Sequence, residues 1–189
     1  MTNLDDRITR NRKILERHPP GNTGRAVALC SLAASLRSNF LQTDDTLGLE
    51  EAIALLRSSL DLLPAGHSDR SDSLHGLALC FNYRYYKQGT IADLQEAISF
   101  GRAALELRSQ GHSRRAMTHY NLAIYLSDRF LELDTENDLD EAILLHRLAS
   151  VIPIGRARSI VSHFAFITGT TNRVPQQTCR RPSNSVELH

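Results

Sequence analysis

One internal period constrains this chain more than any other feature. Segments that run from a leucine to an isoleucine four residues later recur every 45 residues, at 4–8, 49–53, 94–98 and 139–143. A leucine–alanine pair keeps the same step, at Leu32-Ala33, Leu77-Ala78 and Leu122-Ala123. Several columns held in one register over most of the chain indicate a repeat protein, in which each repeat is a supersecondary unit that packs on its neighbours.

Each repeat contains two predicted helices. After the first leucine of a segment, apolar residues continue at steps of three and four, as at Leu49, Ile53 and Leu56. This spacing places them on one helix face. The leucine–alanine pairs belong to a second run of the same kind. The pattern predicts helices near 3–18, 24–41, 48–63, 69–87, 93–108, 114–131 and 138–152, with no strand before residue 150.

The predicted helix starts carry residues that commonly cap helices. One helix of each repeat is expected to have its N-cap at Thr23, Ser68 or Ser113. The other helix begins with aspartate–glutamate pairs that resemble capping boxes, Asp93/Glu96 and Asp138/Glu141.

The composition is typical of a folded protein, with 41% hydrophobic residues. No apolar stretch approaches the roughly 20 residues of a membrane-spanning helix. Residues 1–12 are charged and lack the apolar centre of a secretory signal. We therefore expect a cytoplasmic protein without a membrane partner.

Charge is unevenly distributed along the chain. The net charge is +1, yet residues 151–189 hold five arginines and one glutamate, so the repeats are mildly acidic. A basic face with interleaved aromatic residues, typical of nucleic-acid binding, is absent from the repeats. We expect no nucleic-acid partner, and we expect residues 169–189 to be a disordered arginine-containing tail.

The sequence offers no catalytic or metal site. Its three cysteines fall in different columns of the repeat, and no Cys-x-x-Cys or His-Glu-x-x-His spacing occurs. His67 and His112 recur at one turn of the repeat, which favours a role in the turn over one in catalysis. We therefore expect a protein that is not an enzyme and that binds neither metal nor cofactor.

A further column carries an arginine in every copy, four residues after the recurring isoleucine. These side chains are expected to lie along the rim of the core and to reach water or a carboxylate. A ladder that binds anions is the alternative. The residues are Arg12, Arg57, Arg102 and Arg147.

Three segments resemble the tetratricopeptide repeat family almost word for word: residues 85–89 (Tyr-Tyr-Lys-Gln-Gly), 96–98 (Glu-Ala-Ile) and 104–107 (Ala-Leu-Glu-Leu). The resemblance implies an all-α fold, a right-handed α-α superhelix of about three to four repeats over residues 3–152. It also implies that the helices after Thr23, Ser68 and Ser113 are the first of each pair. The 45-residue unit is longer than the family's usual unit of about 34 residues.

The longer unit is similar to the repeats of kinesin light chains. It is more similar to long fungal arrays that carry a Gly-His-x-x-Arg turn, here at residues 66–70 and 111–115. Many such arrays precede a CHAT peptidase domain, which this sequence lacks. Beyond residue 152 the register is lost, and residues 153–168 are predicted as a degenerate capping helix. Alternatively, the chain is a truncated or mis-joined piece of a longer array, and uncapped ends would then favour self-association.

The resemblance also implies where a partner would bind, because first helices line the concave groove of tetratricopeptide arrays. The corresponding groove residues are Cys30, Ser31, Arg37, His75, Asn82, Tyr120, Asn121 and Ser127. The Lys-Asn-Lys-Arg clamp that holds a C-terminal carboxylate in chaperone-binding members is not reproduced. We expect a non-catalytic scaffold that binds a peptide or helix of another protein. The alternative is a detached sensor or regulatory arm of a CHAT-type peptidase or a nucleotide-switch protein.

Overall fold

A computed structural model describes residues 4–22 and 24–150, and in these residues the chain forms seven helices and no strand. The all-α prediction is thus confirmed. The expected cap at Thr23, the capping helix at 153–168 and the tail at 169–189 lie outside the described residues. The helices are α1 (Leu4–Glu16), α2 (Arg25–Thr43), α3 (Thr46–Leu62), α4 (Arg70–Gln88), α5 (Ile91–Glu106), α6 (Arg115–Leu133) and α7 (Glu136–Ser150).

Two-residue turns join α2 to α3, α4 to α5 and α6 to α7, so each of these pairs forms a helical hairpin. The residue that ends the first helix is Asp44, Gly89 or Asp134, each in the left-handed backbone region with φ of 62°, 68° and 54°. Each donates its backbone N–H to the carbonyl of the aromatic residue four positions earlier. This left-handed cap satisfies a carbonyl at the end of the helix and turns the chain back.

The recurring columns form the core. Leu32, Leu77 and Leu122 are at most 1% exposed, and the alanine that follows each of them is equally buried. Ala97 of the second helices is fully buried. Small residues in this column let neighbouring helix backbones approach closely.

Contacts between helix pairs are asymmetric. The backbones of α2 and α4, and those of α4 and α6, approach each other closely, whereas in the described part of the chain the backbones of α3 and α5, and those of α5 and α7, do not. We call the meeting places of the first helices the α2/α4 junction and the α4/α6 junction. These two junctions lie on one face of the helix array, which we call the first-helix face.

The predicted capping boxes are wrong. α5 begins at Ile91, after Thr90, so Asp93 lies inside its first turn and is only 5% exposed. Its carboxylate accepts hydrogen bonds of 2.9 and 2.6 Å from the guanidinium of Arg84. Asp138 pairs with Arg129 in the same way, at 2.6 Å from each oxygen. Because the turn is short, the helix starts earlier than predicted and the aspartate becomes a buried ion-pair partner.

The serine N-caps are also wrong. The N-cap residues are Asp69 and Arg114, and neither makes a capping bond with its side chain. Instead, Nδ1 of His67 accepts from the backbone N–H of Asp69, and Nδ1 of His112 from that of Arg114, both at 3.2 Å. These two histidines are therefore turn residues, as predicted, and each accepts a hydrogen bond from the backbone N–H of the N-cap residue that follows.

The arginine that ends the Gly-His-x-x-Arg turn joins one helix pair to the next. Arg70 donates to the carbonyls of Leu60 and Leu63, at 2.8 and 2.5 Å. Arg115 donates to the carbonyls of Leu105 and Arg108. A cation is favourable at a helix C-terminus because the last carbonyls there lack a partner within the helix.

The arginine column on the second helices reaches neighbouring pairs. Arg12 pairs with Glu51 at 2.7 Å and Arg102 with Glu141 at 2.5 Å. The expected carboxylate partner is therefore confirmed for these two. Arg57 instead lies over the ring of Phe81, at 5.6 Å from its centroid.

Candidate functional site

A cavity of about 370 Å³ opens at the α2/α4 junction. Arg114, at the start of α6, closes one side of it. Four residues predicted for a binding groove line this one cavity, together with the small residues Gly76 and Cys80. The four are Cys30, Ser31 and Arg37 from α2 and His75 from α4.

Small side chains create the space. Ala33 and Ala34 face it from α2, and Gly76 and Cys80 from α4. A Cβ added to Gly76 would lie 2.9 Å from the side chain of Leu56, so the backbone of α4 approaches α3 closely at this point. Larger residues at these positions would fill the space between the helices.

A compact polar cluster surrounds Cys30, which lines the cavity. The Cys30 thiol lies 3.0 Å from the Ser73 hydroxyl and 3.3 Å from that of Ser59, and the two hydroxyls are 3.0 Å apart. Ser59 also donates to the carbonyl of Ala26, at 3.1 Å. Among the described residues, neither an imidazole nor a carboxylate is hydrogen-bonded to Cys30, so the cluster lacks the base that would activate a nucleophile.

A buried arginine lies behind the cavity. Arg108 is fully buried and donates to Asp72 at 2.7 Å, to the Ser71 carbonyl at 3.3 Å and to the Thr118 hydroxyl. Arg114 binds the other oxygen of Asp72, at 2.6 Å. Burial lowers the pKa of Arg108, and the neighbouring Asp72 carboxylate counters that shift. The sequence analysis did not identify Arg108 as a buried charge. A signal was present, because the equivalent position of the preceding repeat is the apolar Leu63.

The imidazole of His75 lies in the electrostatic field of these arginines. Its side chain is only 9% exposed, and it makes no hydrogen bond with the described residues. Burial, followed by the charges of Arg108, Arg37 and Arg114, lowers the pKa of His75 to about 3. The imidazole is therefore neutral at neutral pH, with one N–H donor and one acceptor nitrogen.

Arg37 carries the remaining positive charge on the cavity wall. It is half-buried. No carboxylate among the described residues lies within 4 Å of its guanidinium, whereas Arg84, Arg108, Arg114 and Arg129 all have one. The cavity thus combines apolar walls with few polar groups, as ligand sites commonly do.

The other four predicted groove residues do not line the cavity. Asn82 is 2% exposed. Tyr120 packs edge-on against His146 of α7, with ring centroids 5.6 Å apart. Ser127 donates to a carbonyl of its own helix, and Asn121 is half-buried on α6.

The α4/α6 junction carries a different polar arrangement. The Tyr86 hydroxyl donates to Asp128 at 2.6 Å, and the Tyr85 hydroxyl to Glu132 at 2.8 Å. Burial raises the pKa of Asp128 to about 6, against the opposing effect of the Tyr86 hydrogen bond. Tyr125 is 2% exposed and its hydroxyl has no partner.

The described part of the chain holds neither a metal-ligand cluster nor a membrane-spanning helix. No group of three or more histidine, cysteine, aspartate or glutamate side chains there is placed to hold a metal ion. None of the described helices combines the length and the apolar character that crossing a bilayer requires.

Comparison with known proteins adds no family. No protein-family model, no curated protein and no solved structure matches this chain.

Proposed function

We propose that this chain is a non-catalytic interaction scaffold of the tetratricopeptide type. In this proposal its helix pairs stack into a right-handed superhelix, and the concave groove binds a peptide or helix of another protein. The observation that carries the proposal is an asymmetry in how closely the helix backbones approach: those of the first helices come close to each other along the array, and those of the second helices in the described residues do not.

This asymmetry supports a curved array. When repeated pairs are closer on one side than on the other, each step adds a small rotation towards the closer side. The first-helix face is then the concave one, and it holds the cavity at the α2/α4 junction. Concave sites with mainly apolar walls and a few polar groups are the usual places for ligands.

The local chemistry favours binding over catalysis. The one half-exposed thiol in the cavity is bonded to two hydroxyls, and the imidazole in the same cavity is neutral and held among arginines. Neither arrangement makes a stronger nucleophile or a base with a pKa near neutral pH.

The binding proposal is tested by selecting peptides from a random phage-displayed library on the full chain and mapping them by amide NMR. We expect the largest shift changes in α2, α4 and α6. Changes confined to α3, α5 and α7 would show that the groove has been assigned to the wrong face. Ala34→Leu, which narrows the cavity, is the perturbing variant, and exposed Ser58→Leu on α3 is its control.

The alternative, a detached sensor or regulatory arm, rests on the resemblance to long fungal arrays alone. A pull-down from the source organism distinguishes the two. A CHAT-type peptidase or a nucleotide-switch protein as the main partner would favour the detached arm.

A further inference from the structure

The charges around the cavity do not cancel. Asp72 is shared by Arg108 and Arg114, with contacts of 2.7 and 2.6 Å. Asp69, the second carboxylate of the wall, accepts from the Ser68 hydroxyl at 3.2 Å. Arg37 and Arg114 line the cavity and Arg108 lies behind it, so three arginines and two aspartates leave a net charge of +1 in and directly behind the cavity. Of these three arginines, Arg37 is the one that has no carboxylate partner among the described residues.

A second group points to a ligand at the same place. His75 lines the cavity, is more than nine-tenths buried and makes no hydrogen bond with the described residues. A neutral imidazole has one N–H to donate. An acceptor bound in the cavity would take this N–H.

We propose that the cavity binds the carboxylate of an aspartate or glutamate side chain in the bound peptide, with Arg37 as its ion-pair partner and His75 as a hydrogen-bond donor. The inference rests on the proposed peptide-binding function and names the chemistry that the groove selects. It assigns a specificity role to two residues of α2 and α4.

The charge of the cavity favours a carboxylate over a phosphate. A carboxylate carries a single negative charge, which one unpaired guanidinium balances, and the planar guanidinium fork matches its two oxygens. A phosphate group carries nearly two charges at neutral pH and would leave one of them unbalanced in a partly dry site. The volume of about 370 Å³ suits a side chain and not a folded segment.

Cys30 provides a reporter for this site, because its thiol lines the cavity and is half-exposed. The probe is an acetylated and amidated pentapeptide, Ala-Ala-Glu-Ala-Ala, at millimolar concentration. Its controls are the same peptide with glutamine, the glutamine peptide with a free C-terminal carboxylate, and acetate. The measurement is the rate at which iodoacetamide, a neutral reagent, alkylates Cys30 in the full chain, read by mass spectrometry of the Cys30 peptide.

We expect the glutamate peptide to slow alkylation and the glutamine peptide to need roughly tenfold higher concentration for the same effect, since it lacks a charge-assisted hydrogen bond. Arg37→Gln should abolish the difference between the two peptides. Arg12→Gln removes the same charge from an exposed ion pair on α1 and should leave the difference unchanged. A second readout is the rate ratio of iodoacetate to iodoacetamide at Cys30, which should fall in Arg37→Gln alone.

Several results would overturn the inference. Equal protection by the glutamate and glutamine peptides would show that the cavity does not recognise the carboxylate. Equal protection by acetate would indicate a simple anion site, and stronger protection by the free C-terminus would assign the site to chain ends. If no probe protects Cys30, the cavity does not bind an acidic side chain. The NMR mapping of selected peptides would still decide the proposed function.

Discussion

The two junctions on the first-helix face are built from equivalent positions, one repeat apart, and they differ in volume. At the α2/α4 junction, small residues such as Cys80 and Ala34 surround a cavity. The corresponding positions one repeat later are Tyr125 and Leu79, and Leu63 is replaced by Arg108. Arg108 and Tyr125 are among the largest fully buried side chains. One backbone repeat thus produces either a packed junction or a cavity, depending on a few side-chain volumes.

The junctions also differ in the direction in which burial moves a pKa. His75 belongs to the α2/α4 cavity, where burial and three arginines favour the neutral imidazole. Asp128 belongs to the α4/α6 junction, where burial favours the neutral carboxylic acid. Both shifts follow from the cost of burying a charge. The stability of the two junctions should therefore respond to pH with opposite signs.

The largest effect should come from emptying the filled junction. Tyr125→Ala should lower the free energy of unfolding by about 3–5 kcal/mol, since it removes a buried aromatic ring and leaves a cavity. Denaturant titration measures this loss. Tyr125→Phe is the control and should change stability little, because the hydroxyl has no partner. A loss below about 1 kcal/mol for the alanine variant would mean that the two junctions are not packed differently.

The next largest effect should be a loss of stability in acid that depends on His75. Its pKa is about 3 in the folded chain and 6.5 when unfolded. Between these values the unfolded chain binds a proton that the folded chain does not, so stability is lost as pH falls from 6.5 towards 3. From pH 7 to pH 4, the wild type should lose about 3 kcal/mol more than His75→Gln. Equal losses in the two proteins would show that the imidazole is not held neutral.

Asp128 should give a smaller effect of opposite sign. Its pKa is about 6 in the folded chain and 3.8 when unfolded. The folded chain therefore keeps a proton between these values, and stability falls as pH rises through this window. From pH 4 to pH 7, the wild type should lose about 2 kcal/mol relative to Asp128→Asn. If the wild type instead became more stable relative to Asp128→Asn over this range, the carboxylate would not be buried as described.

The smallest effect should come from filling the cavity. Ala34→Leu introduces the residue found at the equivalent position of the next repeat, Leu79. Because the added side chain enters existing space, the free energy of unfolding should change by less than about 1 kcal/mol. Thermal melting tests this. A loss larger than about 2 kcal/mol would mean that the space at residue 34 is already occupied.

The periodic features of the fold were predictable from sequence. The seven helices of the described residues lie where the 45-residue register placed them, and the core columns at Leu77 and Ala97 are buried as expected. The capping residues were not predictable in the same way. The local sequence around Asp93 is typical of a helix start. Its partner Arg84 lies on the other side of the turn, and the two side chains meet because α4 and α5 pack against each other.

The candidate site shows the same division. The resemblance to tetratricopeptide arrays directed attention to Arg37 and His75, which the structure brings into one cavity, and also to Asn82, which the structure buries. Arg108 and Asp72 were missed, because they lie 36 residues apart and belong to different helix pairs. No local pattern records a contact over that distance.

The sequence by itself determined the number of helices, their pairing and the columns that pack, because each of these depends on periodic apolar spacing and short turns within one repeat. The tertiary structure decided which junction is filled and which is open, and which arginine lacks an acceptor. Those outcomes depend on how the side-chain volumes and charges of two different repeats combine across an interface, and that combination exists only after the pairs have packed together.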